Sequence, residues 1–350
     1  MGAGEHGSSV TRRDRVLLIG LLISLLNGLL NTGSAWGTPA AGTEEGRDPV
    51  EVIRELRLRG ALYEADAAAR TALADAAADP DLQFELYLEM AKIFDRFGLH
   101  RNTRPVAASL EAIAAAESVD RHSNTRTRGA IELAKADYYY RAELSEREFP
   151  IALAHANEAI RLLTKADEQR LLADAVHRRG LIHMQRRELD EAHRWFDRSL
   201  EIDQSAGARE FFLGEYHRHV GFVHYLRGDI AESIPHQRKS LEFRRRSGAI
   251  DASLFAAISL GTALVETSSP EEAQEPLLYA LMIADRIDSP AGRARAAIAL
   301  GAMYEALENP ISARAAYELC VRTARVIAME SLDQRATEAL ERLALASEPR

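Results

Sequence analysis

Apolar residues recur along this chain at helical spacing and are cut by short turn-forming breaks, so that from about residue 49 it reads as one helix after another. Gly228-Asp229, Ser268-Ser269-Pro270 and Asn309-Pro310 are three such breaks; Pro fits the first turn of a following helix because no intrahelical donor is needed there. Within the helices the pattern itself repeats. Gly180, Gly221, Gly261 and Gly301 lie 41, 40 and 40 residues apart. Twelve residues after each comes a small residue (Ala192, Ser233, Ala273, Ala313), and twenty after it an aliphatic one (Leu200, Leu241, Leu281, Val321). Phe196, Gln237, Leu277 and Tyr317 fall four past the small residue and share its helical face. A mid-helix Gly costs about 1 kcal/mol against Ala, so four in one register predict a place where a neighbouring backbone comes too close for a side chain. Each period is then a helical hairpin that buries its apolar stripe only by stacking on the next.

With Gly180, Ala192, Phe196, Ser199 and Leu200-Glu201-Ile202-Asp203 in one unit, and Leu300-Gly301, Tyr304, Ala313 and Tyr317 in another, the pattern resembles the tetratricopeptide repeat (TPR) family. It departs from that family in three ways: a period near 40 where the standard unit has 34, Gln204 in place of a closing Pro, and Ser233 in place of Ala. The resemblance implies an all-α fold, a right-handed superhelical solenoid of TPR-like hairpins packed through Gly180, Ala192, Phe196, Gly221, Gly261, Ala273, Gly301, Tyr304, Ala313 and Tyr317. Long units of this kind are similar to those of bacterial sensory and regulatory proteins, including extracytoplasmic input domains.

Upstream the pattern continues with lower fidelity. Ala152, Ala156, Ala159 and Ile160 mark a second helix, preceded by a first helix around Ile131 to Arg141 in which Tyr138-Tyr139-Tyr140 stands where Gly and an aromatic are expected. Gly60-Ala61-Leu62-Tyr63-Glu64-Ala65 with Ala69 and Ala72-Leu73 matches the second half of a unit; Ala91, Phe94 and Gly98 match the first half of another, followed by an overlong loop to Ala107. The expected division is a signal peptide or anchor over 1–37, a flexible leader over 38–48, six or seven units over 49–330 with the best-defined ones over 173–330, and a capping helix and tail over 331–350. A hydrophobic content of 47% with only 6% aromatics suits close helix packing, and no run of β-branched residues reads as a strand.

Residues 1–37 have the layout of an export signal: Arg12, Arg13 and Arg15, an apolar core from Val16 to Leu26, and small residues in Ser34-Ala35-Trp36-Gly37. The core falls short of the about 20 apolar residues a spanning helix needs, so cleavage after Gly37 is favoured over retention, and membrane contact is expected only through residues 16–36 if they stay attached. The chain carries a single cysteine, Cys320, at a small position of the fourth unit, which reads as a buried apolar residue. With no disulfide pair and no glycosylation acceptor, a bacterial periplasm or exterior is the expected location.

A net charge of −9 argues against nucleic acid as a partner. The strongest basic run, Arg238-Lys239 with Arg244-Arg245-Arg246, reads as solvated helix surface. Seven of the eleven histidines fall between His177 and His236, but no His-Glu-x-x-His occurs, and His217 and His219 point to different sides of a helix. Most read as packing rings, and no metal or cofactor is expected; His177 alone is placed in the groove. No nucleophile elbow, phosphate loop or dinucleotide fingerprint is present, so an enzyme is not expected. Binding remains. Positions three before and one and four after each repeat glycine place His177, Leu181, Met184, Arg218, Phe222, Tyr225, Ile258 and Val265 on a concave groove, apolar and aromatic in its middle. The leading expectation is an exported, non-catalytic TPR scaffold or sensory input module that binds a protein or peptide segment there. The competing reading is a small-ligand, metal or pH sensor built on the histidines, or the sensor part of a larger signalling protein such as a diguanylate cyclase or histidine kinase.

Overall fold

The computed structural model describes residues 47–102, 107–120, 123–142 and 149–346; the signal and leader expected over 1–48 lie outside these apart from Arg47 and Asp48. Among the described residues there are fifteen helices and no strand. They are α1 (Pro49–Leu58), α2 (Leu62–Asp75), α3 (Pro80–Arg101), α4 (Ala107–Val119), α5 (Thr125–Ala142), α6 (Pro150–Ala166), α7 (Gln169–Gln185) and α8 (Leu189–Ser205). Then follow α9 (Glu210–Arg227), α10 (Ile230–Arg246), α11 (Ile250–Glu266), α12 (Pro270–Arg286), α13 (Pro290–Ala306), α14 (Pro310–Val326) and α15 (Glu330–Ala346). None of them is long and apolar enough to cross a membrane.

The turns follow one recipe. One residue of the link adopts a left-handed conformation, as at Arg187 (φ 64°), Gly228 (φ 88°), Ser268 (φ 60°) and Glu308 (φ 53°). The next amide donates back to the last helical turn, Ser269 N to Leu264 O at 2.9 Å and Asn309 N to Tyr304 O at 2.8 Å, closing carbonyls that would otherwise be unpaired. Ser289 and Asn309 then cap the following helix with side-chain oxygens that accept from Gly292 N and Ser312 N. Each helix packs on its successor, and odd-numbered helices from α3 to α15 also pack on one another, a row that the even-numbered helices do not form among the described residues. The odd helices are therefore the inner layer. The even ones form the outer layer.

The repeat glycines sit inside α7, α9, α11 and α13, and each faces a large side chain sixteen residues on, in the second helix of its own hairpin. A Cβ on Gly180 would lie 2.7 Å from Phe196 Cδ1, and one on Gly221 2.8 Å from Gln237 Nε2; on Gly261 and Gly301 the conflicts with Leu277 and Tyr317 are closer still. The expected backbone approach is thus corrected. What excludes Cβ is the side chain of the facing helix, which fills the space that the glycine leaves. Forty residues earlier the volumes are exchanged: Tyr140 stands in the glycine register and Ala156 in the Phe196 register, both buried in one cluster with Phe149 and Ala152. Ala192, Ala273 and Ala313 are fully buried, as are Phe196 and Leu277, and Tyr304 and Tyr317 are buried with them.

The N-terminal helices depart from expectation. Gly98 is buried within α3, which runs on to Arg101, so the overlong loop shortens. Helix α3 also packs against α13, and α1 against α11. Arg101 Nη2 pairs with Asp288 Oδ2 at 2.6 Å, His100 Nδ1 lies 2.8 Å from Ser289 Oγ, and Asn102 Nδ2 donates to Ile327 O at 3.3 Å. Gly60 seats the α1–α2 turn on Ile287 with no room for a Cβ. The array therefore closes on itself, its first helices docked against its last hairpins.

Because Gly261 and Leu277 compete for one volume, a double-mutant cycle measured by urea unfolding should be non-additive. Gly261→Ala alone should cost about 1–3 kcal/mol by overpacking, and Leu277→Ala about 2–5 kcal/mol by cavity formation. The double variant should be more stable than the sum by about 1 kcal/mol; strict additivity would show that the two do not share space.

Candidate functional site

The inner face is charged, where an apolar and aromatic middle was expected. Helix α3 contributes Asp95 and Arg96, α5 Asp137 and Arg141, α7 Arg178, α9 Glu215 and Arg218, and α11 Asp251; α10 adds Arg244 from behind. Arg96 Nε lies 3.4 Å from Asp251 Oδ2, Arg141 Nε 3.6 Å from Asp95 Oδ2, and Arg244 Nη2 2.6 Å from Glu215 Oε1; Arg178 pairs closely with Asp137. Arg96, Arg141, Arg178, Asp137 and Glu215 keep 17–25% of their side-chain surface accessible although they lie deep in the molecule, so they line an interior that solvent reaches. Glu215 is the hub. Its charge acts on Arg96, Arg178, Arg218 and Arg244 alike.

Electrostatics in this enclosure differ from group to group. Burial pushes the Glu215 carboxyl up, but the guanidinium groups of Arg244, Arg218 and Arg96 outweigh it and hold the group well below the ordinary carboxylate range. At Asp95 burial wins over Arg141, with Asp137 adding repulsion, and the carboxyl is raised. Arg244, only 2% exposed, is the largest fully buried side chain; besides Glu215 it donates to Ala252 O at 2.8 Å, and a Cβ on Gly214 would meet its Cγ at 2.9 Å. The basic run read as solvated surface is therefore split, with Arg238, Lys239, Arg245 and Arg246 exposed and Arg244 in the core. A second charged group, Arg209 with Asp174 and Asp203, ties the α8–α9 turn to α7 at 2.9 and 2.5 Å.

The histidines form a chain of hydrogen bonds whose direction is fixed by its ends. Arg218 can only donate, so His219 Nε2 accepts from Arg218 Nη1 at 2.8 Å and the proton of His219 sits on Nδ1. That N–H donates to His177 Nε2 at 2.9 Å; His177 Nδ1–H in turn faces Ser199 Oγ at 3.3 Å, and the Ser199 hydroxyl donates to Phe196 O at 2.6 Å. Both rings are satisfied as neutral imidazoles. Burial lowers His177 to about 3 and His219 well below its ordinary value. His177, Glu215 and His219 offer ligand atoms within 4.8 Å of one another, which could hold a divalent ion only by displacing the shared proton beside Arg218 and Arg244. The Ser199–His177 contact resembles a nucleophile and base, yet Ser199 is fully buried and no substrate can reach it.

The residues predicted for the groove divide. His177, Leu181 and Met184 are buried between helices, leaving little surface for a ligand, while Arg218, Phe222, Tyr225, Ile258 and Val265 are half-buried. Phe222 and Tyr225 stack at 6.0 Å, and the Tyr225 hydroxyl donates to Glu266 Oε1 at 2.6 Å. His217 lies against His236 and Phe243, on the side of α9 away from His219. His183 stacks on Trp195 at 6.3 Å.

No family model matches the sequence, and no curated protein matches it. Solved structures do resemble it. A structure of NprR in complex with its cognate peptide NprX has a TM-score of 0.56 at 13% identity, over 95% of this chain and 94% of that one. A Rap conjugation gene regulator in complex with a Phr peptide has a TM-score of 0.53 at 15% identity, over 79% and 78%. A signal transduction ATPase with a tetratricopeptide repeat sensor from Pyrococcus horikoshii has a TM-score of 0.53 at 16% identity, over 97% of this chain but 53% of that protein. Identities this low establish the fold: an all-helical tetratricopeptide-type solenoid.

The neutral histidines give a pH test. The unfolded chain binds protons near pH 6.5 that folded His177 and His219, together with His217 and His236 (each lowered to about 4 by burial first), refuse; stability must therefore fall as pH drops below 6.5. Unfolding free energies measured between pH 7 and 5, above most carboxylate titration, should decline, and His177→Gln should lower the slope by about one proton. A slope unchanged by the substitution would show that His177 is protonated in the folded state.

Proposed function

We propose that this chain is a non-catalytic scaffold or sensory input module that takes up a protein or peptide segment along the inner face of its odd-numbered helices. The observation that carries this reading is that face itself: an accessible interior of paired guanidinium and carboxylate groups beside the half-buried, stacked Phe222 and Tyr225. Such a surface offers directional hydrogen bonds and aromatic anchors to an extended segment. It offers no nucleophile with an accessible base among the described residues. The likeness to NprR and a Rap regulator, both solved with bound peptides, supports the choice of a peptide as guest. Export belongs to the proposal as well, and rests on the basic, apolar and small-residue order of residues 12–37.

A displayed random-hexapeptide library selected on the purified chain should yield binders, followed by fluorescence polarisation with individual peptides. The variant Phe222→Ala/Tyr225→Ala should bind them at least about tenfold more weakly, a loss of about 1.4 kcal/mol or more, while its melting temperature stays within a few degrees. A library that yields nothing, or binders indifferent to both aromatic rings, would displace the proposed face.

A further inference from the structure

We infer that the interior is built to receive a carboxylate group from its guest, seated on Arg218. The inference rests on the proposed uptake of a segment along this face and narrows its chemistry. Five guanidinium groups meet in the central cluster, from Arg96, Arg141, Arg178, Arg218 and Arg244, with four carboxylates, from Asp95, Asp137, Glu215 and Asp251. The pairing is one to one and leaves a remainder. Asp251 takes Arg96, Asp95 takes Arg141, Asp137 takes Arg178, and Glu215 takes Arg244. Arg218 forms no ion pair with any described residue.

Its hydrogen bonding is equally incomplete. Of five N–H donors in the planar fork, Nη1 serves His219 Nε2 at 2.8 Å, and the buried Nε has no acceptor among the described residues. The side chain is half-buried, with its Nε shut off from solvent, and desolvation with repulsion from Arg244 and Arg96 outweighs the attraction of Glu215. A partly desolvated guanidinium with no counter-charge in contact is costly, and a bidentate carboxylate is the acceptor whose geometry fits the fork. The cluster cannot supply one by rearrangement, because drawing Glu215 away would strand Arg244, which is more deeply buried. The overall charge of −9 does not oppose this, since the surplus is local and enclosed.

A carboxylate can come from a peptide or from a small acid, and the test separates the two. Melting temperature and calorimetric binding would be measured for the wild-type chain, Arg218→Gln and Arg244→Gln, with three probes: succinate, a random hexapeptide pool with free C-termini, and the same pool amidated and with Asp and Glu omitted. Succinate or the carboxylate-bearing pool should raise the wild-type melting temperature, the carboxylate-free pool should act at least about tenfold more weakly, and Arg218→Gln should abolish the difference. Without any probe, Arg218→Gln should melt no lower than wild type, whereas Arg244→Gln should melt lower because it strands Glu215. If both peptide pools bind wild type and Arg218→Gln alike, peptide uptake stands and the carboxylate seat falls. If succinate alone binds, dependent on Arg218, the seat stands and the peptide reading falls. If no carboxylate probe acts, or if unliganded Arg218→Gln is destabilised as much as Arg244→Gln, the seat is overturned.

Discussion

In four successive hairpins a missing Cβ on the first helix is matched by a large side chain on the second, and the spacing of the whole array follows from that match. Phe196, Gln237, Leu277 and Tyr317 need the volume that Gly180, Gly221, Gly261 and Gly301 vacate. Interiors pack at crystal-like density, so neither partner can change size alone. The Tyr140 and Ala156 exchange shows the constraint from the other side: it fixes the summed volume across the contact and leaves open which helix supplies it. Since each hairpin holds itself together through this contact on its flank, the opposite flank of the first helix is released from core packing. That freedom lets the inner layer carry charge.

The use made of that freedom is unusual for a buried surface. Charges enclosed by protein lose hydration, and only close partners return it. The interior meets this condition by placing opposite charges on facing helices, so that ion pairs cross between α3 and α5, α5 and α7, α3 and α11, and α9 and α10. The histidine chain has a complementary task. It carries the polarity of Arg218 away through two neutral rings and a hydroxyl to a backbone carbonyl, so that no further charge has to be buried.

The periodic half of the chain was legible because glycine inside a helix is rare and expensive, and its recurrence survives without knowledge of what it faces. The sixteen-residue offset to Phe196 and Leu277 was present in the same register; it points to a side chain as the close neighbour. The inner face was harder to read. Successive helical residues are about 100° apart, so a shift of one position moves a side chain from the interior to the hairpin core; His177 is buried and the adjacent Arg178 faces the enclosure. Arg244 was grouped with its exposed neighbours because composition along a run cannot show which member of it turns inward. Arg96 and His100 carried no signal at all, since their partners on α11 and the α12–α13 turn lie more than 150 residues away. Ion pairs that distant leave no period in a sequence.

The docking of α1 and α3 on α11 and α13 has an evolutionary consequence. An open stack of hairpins gains or loses members by duplication or deletion with little harm, because every junction is alike. Here the first helices must land on particular late ones, Arg96 on Asp251 and Gly60 on Ile287. One hairpin more or fewer would carry the seat away from the clasp. The number of modules is therefore pinned by the circumference, as in a bracelet cut to one wrist.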